Sequence, residues 1–177
     1  MENLIFHEHP SLNKPILVAA FAGWPDAQDG ASGAVRYLVR RLSAKKFAEL
    51  DPQEFYVFTR VRPMVRTNRE GQRTIRWPSN NFYFLQDQSV QKDLVFFVGV
   101  EPNLKWKAYT AAIMEVAHQC NADMVVILGS LMDTTPHTRE PHITGSATSP
   151  EMQQRFEELG IWSSGYQGPT SASSVLM

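Results

Sequence analysis

Three carboxylates and an imidazole, Asp26, Glu101, Asp133 and His137, each follow closely on a short run of apolar residues. Carboxylates offer hard oxygen ligands to a cation or move a proton, and a histidine serves as base or further ligand. Such groups act together only if the chain brings them to one place. If the apolar runs are parallel strands, their carboxyl ends share an edge, which is where ligands collect in open α/β sheets. The candidate rim is then Trp24, Asp26, Asp29, Glu101, Asn103, Asp133, His137 and Arg139. Within it, Asp26, Glu101, Asp133 and His137 are the candidate catalytic set of a small-molecule or metal-dependent hydrolase or phosphorylase-like enzyme. Three of the four also have a structural explanation. Asp26 or Asp29 caps a helix, Glu101 pairs with Lys105 or an arginine, and His137 bonds within its own turn.

Other chemistry is weaker. Gly129-Ser130-Leu131 and Gly145-Ser146-Ala147 lack the second glycine of a nucleophile elbow, so both serines read as ordinary. Cys120 falls on an apolar stripe, where a thiol is inert. His7 and His9, even with His137 or His142, lack the second close pair of ligands that a metal centre needs. No GxxxxGK[ST] or GxGxxG loop is present, so no nucleotide cofactor is expected, and no metal.

The elements that must position the rim are legible as runs and stripes. Ile16 to Ala22 (ILVAAFA), Asp93 to Val100 (DLVFFVGV) and Met124 to Leu128 (MVVIL) are apolar on both alternations, as in strands covered on both faces. Helical spacing runs through Ala31, Ala34, Val35, Leu38, Val39 and Leu42, predicting a helix over about 30–42. It recurs through Trp106, Tyr109, Ile113, Val116 and Cys120, predicting another over 105–120. The second joins two of the strands in a βαβ unit. Glu54 to Thr59 (EFYVFT) has strand composition, and Asn81 to Gln86 predicts a short strand. Val61 to Thr67 and Gln72 to Trp77 flank Asn68-Arg69-Glu70-Gly71 as a hairpin. Six arginines, Arg60, Arg62, Arg66, Arg69, Arg73 and Arg76, lie in this segment with Trp77 and Tyr83 nearby, a pattern suited to an acidic protein or RNA, and also to an edge kept soluble. Pro141 to Thr148 is a strand or an extended loop, and Pro150 to Leu159 is a helix. The reading is an α/β three-layer sandwich with a mainly parallel central sheet and a β-hairpin excursion.

Composition sets the outer limits. The chain has 177 residues, 43% hydrophobic and 20% charged, enough for one domain with a continuous core. Seventeen basic residues against 18 acidic give a net charge of -1, so no overall field draws in nucleic acid or an anionic membrane. One cysteine excludes an internal disulfide and fits a reducing compartment. No apolar run reaches the roughly 20 residues that cross a bilayer. The first residues, MENLIFHEHP, lack the basic lead of a secretory signal, so a cytoplasmic protein is expected. SASSVLM reads as the start of a helix without a stop signal, so the single α/β domain over 1–177 is expected to continue.

Four segments together, FAGWPDAQDGASGAVRYL (21–38), VGVEPNLKW (98–106), LGSLMDTTPHTR (128–139) and YQGPT (166–170), resemble the proteasome assembly chaperone 2 family. The resemblance extends along essentially the whole chain, as the N-terminal portion of such proteins. It implies a sandwich related to phosphorylase/hydrolase-like folds, self-assembly into homo-oligomers, and a chaperone role with proteasome subunits or another protein complex as partners. It also brings the ATP-grasp superfamily label that many prokaryotic relatives carry, which the missing phosphate loops do not support. The preferred reading is an oligomeric binding and assembly protein rather than an enzyme. Trp24, Trp77, Tyr83 and Trp162 are then candidate interface aromatics.

Overall fold

A computed structural model describes residues 3–86 and 92–177. Met1, Glu2 and residues 87–91 lie outside it, and with them the start of the MENLIFHEHP segment read against a secretory signal. The chain forms two compact units, one from residues up to Leu131 together with Ser171–Leu176, the other from Met132–Thr170.

The larger unit carries a six-stranded sheet. Its strands are β1 (Leu4–Phe6), β2 (Ile16–Ala22), β3 (Lys45–Leu50), β6 (Asn81–Leu85), β7 (Leu94–Val100) and β8 (Met124–Leu128), in the order β1-β3-β6-β7-β2-β8. Strand β2 lies between β7 and β8 and is parallel to both, with Ile16 opposite Leu94 and Met124. The three apolar runs therefore stand side by side and point alike, as their composition predicts. Antiparallel pairing adds β6, β3 and β1, so the sheet is mixed, with β3 running in the direction of the parallel trio.

Alternation along β2 and β7 divides the core in two. Leu17, Ala19, Phe21, Val95 and Phe97 pack with Tyr109, Ile113 and Val116 of helix α2 (Trp106–Gln119). On the other face Ala20, Phe96 and Val98 meet Ala31 and Val35 of helix α1 (Gly30–Arg41). Helices thus cover both faces and make three layers. Phe97, Tyr109 and Ile113 are fully buried, each contributing about 1.5–3 kcal/mol by leaving water. The short helix α4 (Ala172–Leu176) packs on α2.

One expectation is corrected. EFYVFT is not a strand, and the strand in that region is KKFAEL, Lys45–Leu50. Asp51 accepts from the Gln53 amide at 2.8 Å and Pro52 follows it, which starts a 3-10 turn over Pro52–Glu54. Phe55 and Tyr56 are buried from that turn rather than from a pleated strand. The hairpin is present as β4 (Met64–Thr67) paired with β5 (Arg73–Arg76).

In the smaller unit, helix α3 (Pro150–Glu158) is capped by Ser149, whose hydroxyl accepts from the Met152 amide at 3.2 Å. Residues 141–148 are an extended loop with one isolated bridge, Thr144 to Trp162. Among the described residues no helix is long and apolar enough to cross a membrane.

Candidate functional site

The rim begins where β2 ends. Gly23 has φ +125°, a region that side chains disfavour, and a Cβ there would stand 3.3 Å from Glu101 Cβ. Glycine thus lets the chain leave β2 hard against the end of β7, where the Glu101 amide donates to Ala22 O at 2.8 Å. Trp24 follows, 64% exposed.

Asp26, 6% exposed, turns back into the fold. Its Oδ1 accepts from the amides of Ala31 at 2.7 Å and Ser32 at 3.2 Å, the free donors that open α1. Ser130 Oγ lies 3.2 Å from the same oxygen and 3.0 Å from Ala27 O. The main chain is stitched here as well, with Ala27 N to Ser130 O at 3.1 Å and Ser130 N to Pro25 O at 3.0 Å. Burial pushes the Asp26 carboxyl up, but hydrogen bonds from Ser32, Ala31 and Ser130 outweigh it and hold it below its ordinary value. Its second oxygen, Oδ2, is buried with no hydrogen-bond partner. Of the two candidate caps, Asp26 is the one used, while Asp29 is exposed in a left-handed conformation.

Glu101 is likewise engaged with main chain. Oε1 accepts from the Ala172 amide at 3.0 Å, which fixes the start of α4. Lys105, its expected partner, pairs instead with Glu54 at 2.6 Å. Asn103 Oδ1 accepts from Val57 N at 3.0 Å, and its amide donates to Phe55 O at 2.9 Å. The residue thus ties down the turn that buries Phe55 and Tyr56.

Beneath these ends sits a polar cluster that sequence reasoning missed. Asn80 Oδ1 accepts from Tyr56 Oη at 2.7 Å, Tyr109 Oη at 2.8 Å and Val100 N at 3.1 Å. Val100 O lies 2.6 and 2.9 Å from the same two hydroxyls. Asn80 Nδ2 donates to Leu50 O at 3.3 Å. Burial pushes Tyr56 up to about 12 and Tyr109 well above its usual value, so both remain neutral donors. Asn80 immediately precedes β6 with no motif around it, and only its polarity beside an apolar strand hints at a buried role. Ser130 gave no better signal. Cys120 is 7% exposed, and burial alone pushes its thiol up to about 11, as expected of an inert core cysteine.

The smaller unit holds Asp133, His137 and Arg139, all exposed. Asp133 closes its own turn, accepting from Thr134 N and Thr135 Oγ1, each at 2.7 Å. These bonds, Thr135 first, hold its carboxyl below the ordinary value. The Arg139 amide donates to Pro136 O at 2.9 Å.

Among the described residues no cluster of three or more His, Cys, Asp and Glu is arranged to hold a metal. A depression of 390 Å³ lined by Ile5, Glu49, Pro52, Trp77 and Asn80, among others, shares no residue with the rim.

A family model, described as the PAC2 family, matches residues 20–177. This chain belongs to the PAC2 family. Two crystal structures are similar at 34% identity. A PAC2 family protein from Streptomyces avermitilis MA aligns over 92% of this chain and 68% of its own, TM-score 0.83. A proteasome-assembly chaperone homologue from Mycobacterium tuberculosis aligns over 91% and 67%, TM-score 0.81. A protein of unknown function from Corynebacterium glutamicum ATCC 13032, 20% identical, shares the fold over 99% of this chain and 66% of its own, TM-score 0.85. The chain thus spans about two thirds of the length of these PAC2-fold proteins. No curated protein matches it.

Proposed function

We propose that this PAC2 chain is a binding and assembly protein, working in the cytoplasm as a homo-oligomer, with proteasome subunits or another protein complex as its partner and no cofactor. Family membership and the likeness to the mycobacterial proteasome-assembly chaperone homologue support the assembly role. The observation that carries it over catalysis is the use made of the strand-end carboxylates. Asp26 and Glu101, the two candidate catalytic acids of the larger unit, each bind helix amides, so neither faces a substrate with free acceptors on both oxygens.

The second reading is a small-molecule or metal-dependent hydrolase or phosphorylase-like enzyme with its site at the carboxyl ends of the parallel strands. It draws on Asp26 Oδ2, a buried oxygen without a partner. Two measurements separate the readings. The assembly reading expects light scattering to give a stable oligomer, the immobilised chain to retain purified proteasome subunits, and the melting temperature to ignore nucleotides and divalent metals. A strict monomer that is stabilised by one of those small ligands would replace it with the enzyme.

A further inference from the structure

The β4–β5 ribbon differs from the strands of the main sheet, each of which has buried or half-buried residues. All eight of its strand residues are exposed, so neither face packs on a core. Met64 opposes Arg76 and Arg66 opposes Thr74 on one face, while Val65 opposes Ile75 and Thr67 opposes Arg73 on the other. A lone two-stranded hairpin is marginal in water without a third strand or a covered face.

Local bonds hold its tip. Asn68 Oδ1 accepts from the amides of Glu70 at 3.0 Å and Gln72 at 2.9 Å, and Gly71 supplies the positive φ of +80°. At its base Trp77 meets Phe58 edge-on, ring centroids 4.8 Å apart. Met64, Val65 and Ile75 nevertheless stay 64%, 50% and 61% exposed. That much aliphatic surface held in water on a marginal element marks an interaction site.

Charge says what would cover it. Residues 60–77 contain Arg60, Arg62, Arg66, Arg69, Arg73 and Arg76 against the single acid Glu70, and no lysine. Six against one gives this segment a formal +5 in a chain whose total is -1. Among the described residues none of the six forms an ion pair. Guanidinium groups present a planar fork that matches a carboxylate bidentately and loses little hydration on docking. A nucleic acid would use the charge but not the aliphatic residues, and the one tryptophan able to stack on bases already meets Phe58.

We infer that the β4–β5 ribbon is a docking surface for an acidic partner protein that clasps both faces, its carboxylates taking Arg66 and Arg76 on one and Arg73 on the other, its apolar side chains covering Met64 on the first and Val65 and Ile75 on the second. This rests on the assembly reading and adds to it the surface and the partner's chemistry.

The test uses the intact chain and three labelled probes in fluorescence anisotropy at physiological salt. They are a peptide of alternating Glu and Val, a polyglutamate peptide of equal charge, and an oligouridylate of equal charge. The Glu–Val peptide is expected to bind at least about tenfold more tightly than either other probe, and to lose about tenfold in Arg66→Ser/Arg76→Ser and again in Met64→Ser/Ile75→Ser. All four side chains are exposed, so both variants keep the circular dichroism of the parent. Tighter binding of the oligouridylate, equal binding of all three probes, or peptide binding unchanged in either variant would overturn the inference. So would an oligomer mass that falls in the arginine variant without peptide, since the ribbon would then join copies of this chain. Peptide failure with proteasome subunits still retained removes the ribbon and leaves the assembly reading. Failure of the parent chain to retain those subunits removes the reading itself.

Discussion

Charge is handled in opposite ways at the strand ends and on the ribbon. At the ends of β2 and β7, Asp26 and Glu101 turn toward helix amides. On the β4–β5 ribbon and the residues leading into it, 60–77, six arginines are exposed with no ion-pair partner among the described residues. Solvation explains the difference. A carboxylate taken out of water costs several kcal/mol unless hydrogen-bond donors replace the hydration, so Asp26 is committed to its donors. An exposed guanidinium keeps its water and stays available to a partner. Position at a carboxyl-terminal strand edge therefore does not by itself make a functional group. What the group's oxygens already hold decides whether it is free to act.

Five variants break or sharpen that contrast. The inward pattern is strongest at Asn80, so Asn80→Ala should cost about 3 kcal/mol in urea denaturation by leaving Val100 N, Leu50 O and two tyrosine hydroxyls short of partners. A near-neutral result would mean that the cluster is wet and open.

Next, Asp26→Ala should cost about 2 kcal/mol through loss of the α1 cap, with Asp26→Asn retaining an acceptor and costing less. Because the folded carboxyl lies below its ordinary value of 3.8, its contribution is complete at higher pH and fades as pH falls through the folded value. The stability gap between the parent and Asp26→Asn should therefore be flat from about pH 5 to 7 and close in stronger acid. A gap that widens in acid would contradict the assignment.

Glu101→Ala should cost about 1 kcal/mol, read as faster hydrogen exchange at Ala172 and along α4. Arg66→Ser/Arg76→Ser should leave the urea midpoint unchanged, which separates a surface for binding from one that holds the fold.

Much of the scaffold was legible because its signals are local. The parallel trio declares itself in ILVAAFA, DLVFFVGV and MVVIL, each closed by turn residues. The stripes of α1 and α2 and the Asn68 to Gly71 turn fall where the spacing puts them. Lys45–Leu50 was missed because a strand carrying two lysines and a glutamate lacks the apolar run of its neighbours. EFYVFT misled because its aromatics are buried by filling a turn, and composition cannot separate that from pleating. At the rim, the sequence located Asp26 and Glu101 at strand ends but not their partners. Ser130 lies 104 residues from Asp26 and Ala172 lies 71 from Glu101, and contacts so distant leave no local trace.

Hydrogen–deuterium exchange on the intact chain, with and without the Glu–Val peptide, puts the two regions side by side in one measurement. The account predicts new protection over residues 62–77 with the amides of Gly23 to Ser32 and Glu101 to Leu104 unchanged. Protection at those strand ends, with the ribbon exchanging as before, would contradict it.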